Sequence, residues 1–206
     1  MTSCPQLKLF HNPQSRSSCI RILLEELELP CAIELVDFKN KPEALLAANP
    51  LGKVPTLLAD DAVVSEQIAI VQFLAELAPG KNLSPALGDP LRGPYLRALA
   101  LYGSSFEPAM IDKAQKRDSG SPGMSPYGSV EAVEALVRTQ LSKGPWWLGE
   151  RFTAADVLWG SALSWITQFG LLAKTPEVAA YIERFQQRPA VVKARAKDAA
   201  DAATLA

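Results

Sequence analysis

The sequence predicts an α+β N-terminal domain, with a mixed four-stranded sheet and three helices, followed by an all-α helical domain. Residues 7–78 read in the order β-α-β-α-β-β-α. A strand–helix–strand opening implies a right-handed parallel crossover, whereas Asp60-Asp61 between two short apolar runs implies an antiparallel hairpin, so the sheet is mixed. Residues 81–90, KNLSPALGDP, combine two prolines and a glycine with few bulky side chains, and beyond them no convincing strand remains. The expected division is a first domain over 1–80, a linker over 81–90 and a helical domain over 91–206.

The elements follow in order. LKLFH over Leu7–His11 alternates apolar and polar residues before Asn12-Pro13 breaks it, which marks a short strand. After the NPQS loop, Ile20, Leu23, Leu24 and Leu27 recur at i, i+3, i+4 and i+7, the stripe of a core-facing helix that stops before Pro30, with Arg21 and Glu25 four apart on its other face. Residues 31–38 supply a second strand, and 41–48 a short helix that Asn49-Pro50 ends. Strands over 54–59 and 62–64 and a helix over 66–78 close the first domain.

Beyond the linker, 91 to about 117 reads as one long helix carrying Leu96, Leu99, Tyr102 and Phe106 near one face, with Gly103 and Pro108 as bending points. Residues 118–126 are loop. Val130, Val133, Val137 and Leu141 place a helix over 127–142, ended by Lys143-Gly144-Pro145. A further helix follows Phe152, opened by Thr153-Ala-Ala-Asp156 in the form of a capping box. Helices over 178–187 and 189–200 complete the chain, the last grading into an Ala/Asp tail expected to fray.

Composition narrows the functions. With 206 residues and 48% hydrophobic content the chain can bury a sizeable core, and its net charge of -1 gives no electrostatic reason to expect nucleic acid or an anionic membrane as partner. Cys4, Cys19 and Cys31 form no CxxC pair, and the lone histidine, His11, cannot build a zinc site with them, so no metal is expected. The odd thiol count fits a reducing compartment, and MTSCPQLKLF lacks the apolar core of a signal peptide, so a cytoplasmic location is expected. The apolar stretch 157–173 carries Ser161, Ser164, Gln168 and two glycines, falls short of a membrane span, and reads as a buried helix.

The residues with most chemical meaning lie over 51–67, LGKVPTLLADDAVVSEQ. Pro55 has no N–H and cannot serve a central ladder, which leaves the Val54 main chain to offer its amide and carbonyl to a peptide-like ligand; the alternative is a proline that merely begins an edge strand.

LFHNPQSRSSCIRILLEEL, NPLGKVPTLL and SEQIAIVQFL within 7–77, and WLGERFTAADVL over 147–158, resemble the cytosolic glutathione S-transferase family, of the serine type. Between 91 and 145 only the helical pattern matches. The resemblance implies a thioredoxin-like first domain that binds glutathione, the co-substrate, and a helical domain that supplies an apolar pocket for an electrophile. It also implies a homodimer, a cis Val54–Pro55 bond, and pairing of the Val54 main chain with the cysteinyl part of glutathione. Glu66 and Gln67, at a helix start that attracts anions, would take the γ-glutamyl end. Gln67 stands where the family usually has serine, so weakened or repositioned binding is expected; both residues also suit an ordinary first turn. Lys53 resembles a position that reaches the glycyl carboxylate, and is equally a solvated lysine.

The implied chemistry is activation of the glutathione thiol. A thiol with pKa near 8.5 is only about 3% thiolate at pH 7, and lowering it by about 2 units takes roughly 2.7 kcal/mol of preference for the anion. A charge-assisted hydrogen bond beside a helix N-terminus supplies that much. His11, Ser15, Ser17 and Ser18 are the residues placed to give it, and Ser15, matching the family's serine, is the expected donor to the thiolate; its other reading is a helix N-cap. His11 is either a contributor or a satisfied polar side chain, and Cys19 reads as core. The electrophile would meet His11, Tyr102, Phe106 and Met110, although an aromatic row at helical spacing also suits a core. Two other activities compete: a binding or scaffold protein with little turnover, which Gln67 favours, and a glutathione-dependent isomerase, peroxidase or dehalogenase.

Overall fold

The computed structural model describes residues 5–121 and 123–205, so Cys4 lies outside the described residues. The sheet has the order β2-β1-β3-β4, built from Leu7–His11 (β1), Ala32–Leu35 (β2), Thr56–Ala59 (β3) and Ala62–Ser65 (β4). β1 pairs parallel with β2, Leu9 opposite Ile33, and antiparallel with β3, Leu9 opposite Leu57; β3 and β4 form the hairpin, Leu57 opposite Val64. The mixed sheet follows from its connections: a helix carries the chain from β1 to β2, and Asp60-Asp61 turns it from β3 to β4. β3 starts one residue after Pro55, where the missing N–H no longer matters. β2 is shorter than the eight residues expected, because the Asp37 carboxylate takes the Lys39 N–H (2.9 Å) and folds the chain into a turn.

Helix α1, Ser17–Leu27, buries Ile20, Leu23, Leu24 and Leu27 as the stripe predicts. It ends on Glu28, whose left-handed backbone (φ 54°) returns its N–H to the helix, two residues ahead of Pro30. Helix α2 is Glu43–Ala48, stopped at an extended Asn49 before Pro50, and α3 is Gln67–Leu77.

Two compact units emerge. One runs to Leu83 and takes in the chain again from Gln187; the other is Ser84–Gln186. The first thus includes the last helix, Pro189–Thr204, which packs on α1. Two expectations are corrected there. The Ala/Asp tail continues the helix to Thr204, since Arg21 holds Asp198 (3.1 Å) and Asp201 (2.6 Å) of that helix. Arg21 and Glu25 also do not pair along α1: Glu25 instead binds Lys193 and Lys197, and Arg188 grips Glu26 with Nε and Nη2, one on each carboxylate oxygen.

In the second unit the expected long helix is two, α4 (Arg92–Leu101) and α5 (Glu107–Gln115), joined by a wide π turn over Tyr102–Phe106 that contains Gly103. Pro108 sits in the first turn of α5, where its lack of an N–H costs nothing. Helix α6 is Val130–Leu141, capped by the Ser129 side chain; α7 is Ala154–Gln168, α8 is Pro176–Gln186, and the last helix is α9. Its core centres on Trp159, stacked on Trp147 at 3.6 Å, with its indole N–H given to the Ala98 carbonyl. None of the described helices is long and apolar enough to cross a membrane.

Candidate functional site

Sheet register gathers the site. Phe10 pairs with Thr56 and Thr56 with Ser65, so the end of β1, the start of β3 and the end of β4 share one edge. The loop 12–16, the Val54–Pro55 step and Glu66-Gln67 all leave the sheet there.

The Val54–Pro55 peptide bond is cis, as the resemblance implies. Its approach is fixed by a small polar network: Thr56 Oγ1 donates to the Lys53 carbonyl (2.8 Å), and the buried Asn49 amide donates to Thr56 Oγ1 (3.0 Å). Among the described residues nothing hydrogen-bonds to the Val54 amide or carbonyl, and Val54 is only half-buried. A peptide-like ligand could use both groups. Lys53 is exposed beside it.

Glu66 is exposed, with φ 65° and ψ 120° ahead of α3. Gln67 turns its amide nitrogen to the Arg16 carbonyl (3.3 Å), which ties the start of α3 to the loop before α1. Its Oε1 is buried and unpartnered.

Ser15 is half-buried, and its hydroxyl accepts the Ser17 N–H (3.1 Å), so it does the work of a helix cap. It also lies 2.8 Å from the Asn12 carbonyl and 2.7 Å from the Ser17 hydroxyl. Ser17 is fully buried and accepts from the Asn12 N–H (3.0 Å), and its oxygen is 2.8 Å from His11 Nδ1. Ser18 bonds back to Pro13. His11 is fully buried between Ser17 and Asp198, the second contact being 3.1 Å from Nε2 to Oδ1. It has no surface to offer an electrophile. The structure thus joins His11, Ser15 and Ser17 and adds Asn12, Arg21 and Asp198; no sequence pattern pointed to Asp198, which is 187 positions from His11.

The remaining side chains are placed as follows. Tyr102, Phe106 and Met110 are buried in the helical unit, with Phe106 and Tyr102 against Trp159 at ring separations of 4.8 and 5.7 Å. Their surface goes into that core, the reading an aromatic row at helical spacing also allowed. Cys19 is buried, and burial pushes the Cys31 thiol up to about 11, far from thiolate at neutral pH. Among the described residues no group of three or more His, Cys, Asp or Glu side chains could hold a metal ion.

Residues 5–76 match the glutathione S-transferase N-terminal domain and 129–198 the glutathione S-transferase C-terminal domain. Glutathione S-transferase GstA of Escherichia coli O157:H7 is 27% identical over 191 residues, 90% of this chain and 95% of that protein. The crystal structure of a glutathione transferase from Methylococcus capsulatus superposes with TM-score 0.80 at 30% identity, over 94% of this chain and 99% of that one. The chain belongs to the glutathione S-transferase family. A sphingomonad glutathione S-transferase complexed with glutathione aligns at TM-score 0.79 and 30% identity, over 93% and 98% of the two chains. Residues 77–128 lie outside both family domains, within them most of the stretch where the sequence resembles glutathione S-transferases only by helical pattern.

Proposed function

We propose that the protein is a glutathione transferase whose sheet edge binds glutathione and whose Ser15 hydroxyl donates a hydrogen bond to the thiolate. The unpartnered Val54 main chain carries this reading, because it offers a donor and an acceptor to the cysteinyl backbone on the edge that Ser15 and the start of α3 also border. Glu66 meets the γ-glutamyl amine, the Gln67 N–H its carboxylate, and Lys53 the glycyl carboxylate. With its side chain turned to Arg16, Gln67 contributes its backbone more than its amide. Ser15 is a donor and not a nucleophile: it lowers the cost of the anion, and the sulfur attacks a hydrophobic electrophile. The enzyme works as a homodimer in the cytoplasm, with a glutathione-binding domain over 1–80, a linker over 81–90 and an electrophile-binding helical domain from 91 onward, apart from α9, which packs with the sheet.

One set of measurements tests this. Calorimetry is expected to give one glutathione per chain, at a sedimentation mass of two chains. The ultraviolet thiolate band of bound glutathione should fall at least about tenfold in Ser15→Ala, the equivalent of one hydrogen bond to a charged group. An unchanged band removes Ser15 from the mechanism, and absent binding removes the enzyme.

A further inference from the structure

The proposed function gives Ser15 a proton to offer the sulfur but does not say where the thiol's own proton goes. Four side chains answer that, all in the unit that holds the sheet. Asp198 Oδ1 lies 3.1 Å from His11 Nε2, His11 Nδ1 lies 2.8 Å from Ser17 Oγ, and Ser17 Oγ lies 2.7 Å from Ser15 Oγ. The row runs from a half-buried hydroxyl at the sheet edge, through two fully buried groups, to an acid on α9. We propose that Ser15, Ser17, His11 and Asp198 form a proton relay that takes the glutathione thiol's proton into the protein.

Both hydroxyls also lie within reach of the Asn12 carbonyl, Ser15 at 2.8 Å and Ser17 at 3.0 Å, and the relay uses the arrangement in which they point along the row instead. A carboxylate only accepts, so the hydrogen between His11 and Asp198 sits on Nε2, and Nδ1 presents a lone pair to Ser17. The Ser17 hydroxyl donates to that nitrogen, and its oxygen, already accepting the Asn12 N–H, accepts from Ser15. In this resting arrangement the Ser15 proton points inward, the wrong way to stabilise an anion outside. Transfer reverses the row. The S–H bond breaks and its proton joins Ser15 Oγ; the former Ser15 proton joins Ser17 Oγ; the former Ser17 proton joins His11 Nδ1. The products are a thiolate and an imidazolium beside a carboxylate, with charge unchanged, and Ser15 now directs its new O–H at the sulfur. One step both removes the proton and creates the donor.

Of the charges around the imidazole, the Asp198 carboxylate, its direct neighbour, favours this product, while Arg21 of α1, which holds Asp198 at 3.1 Å and Asp201 at 2.6 Å, and Arg195 on the Asp198 side add positive charge that offsets part of that preference. Arg21 is buried, and its contact with Asp198 holds that side chain facing Nε2. His11 and Asp198 touch no atom of the substrate and are positioning residues for Ser15.

The relay rests on the Ser15 reading, and the test separates the two. Glutathione is mixed with the unaltered protein at pH 7 in weak buffer containing an indicator dye, so that thiolate absorbance and protons released are read together. The relay keeps the proton, and the expected release is less than about half a proton per thiolate. One proton per thiolate overturns the relay and leaves Ser15 standing. In Asp198→Asn the thiolate fraction and kcat are expected to fall about 10- to 100-fold, while the glutathione Kd stays within about twofold and Asp198→Glu recovers part of the loss. An unchanged thiolate band in both Asp198→Asn and Ser17→Ala also overturns the relay, whereas an unchanged band in Ser15→Ala overturns Ser15 and the relay with it. The dye measurement needs no variant, so the outcome stands even if Asp198→Asn loosens α9.

Discussion

Gly160, in the middle of α7, has no room for a side chain: a Cβ there would stand 2.4 Å from Cγ of Phe185 on α8. The neighbour is a fully buried ring and cannot swing away, so the two helices must part or tilt. Gly160→Ala is therefore expected to destabilise the protein by about 1–3 kcal/mol even though alanine is the better helix former. A lower urea midpoint at unchanged slope would show it, and an unchanged or higher midpoint would mean the helices yield freely. Residues of this kind are invisible to periodicity. Ser15 and Val54 were legible because short-range chemistry marks them, a serine ahead of an apolar stripe and a residue ahead of a proline. His11 was legible only as a lone imidazole; its role waits on Asp198, which the chain supplies 187 residues later.

Helix α7 starts on the capping box its sequence announces: the Asp156 carboxylate reaches back to the Thr153 N–H (2.9 Å). It also takes the Trp147 N–H (2.6 Å) and the Tyr181 hydroxyl (2.9 Å), which makes it the hub of the helical unit. Burial pushes the Asp156 carboxyl up to about 6, although these donors favour the charged form, and burial together with the Asp156 charge pushes the Tyr181 hydroxyl well up. The folded state therefore holds a proton on Asp156 that the unfolded chain, near 3.9, releases earlier. Its contribution is fully present below about pH 4 and is lost as pH rises to about 6. The difference in unfolding free energy between the wild type and Asp156→Asn should thus slope between those values and level off above them, measured by denaturant titration at each pH; a flat difference would place Asp156 at an ordinary carboxylate value. The cap could be read locally because its partners lie three residues apart. The clamp of α9 on α1, through Arg21, Glu25 and Glu26, could not, since four-residue spacing offered Arg21 and Glu25 to each other and the fold gave each a stronger partner on α9.

Across the whole molecule, a ligand that binds only the folded protein raises its stability by mass action. Glutathione at 100 times its Kd adds about 2.7 kcal/mol, roughly 5–10 °C in Tm for a chain of this length. A thermal scan showing no shift under those conditions would mean that glutathione is not held by the native fold. The order of strands and helices in the first domain and the mixed sheet were written in local pattern, because strand alternation, helical stripes, prolines and caps act over a few residues, and the cis proline step came with the family resemblance. The tertiary structure alone decided that α9 belongs with the sheet, that Tyr102 and Phe106 spend their rings on Trp159, and that His11 lies between Ser17 and Asp198. Those outcomes depend on which distant side chain wins a buried partner, and that competition is settled only when the chain is packed and water is excluded.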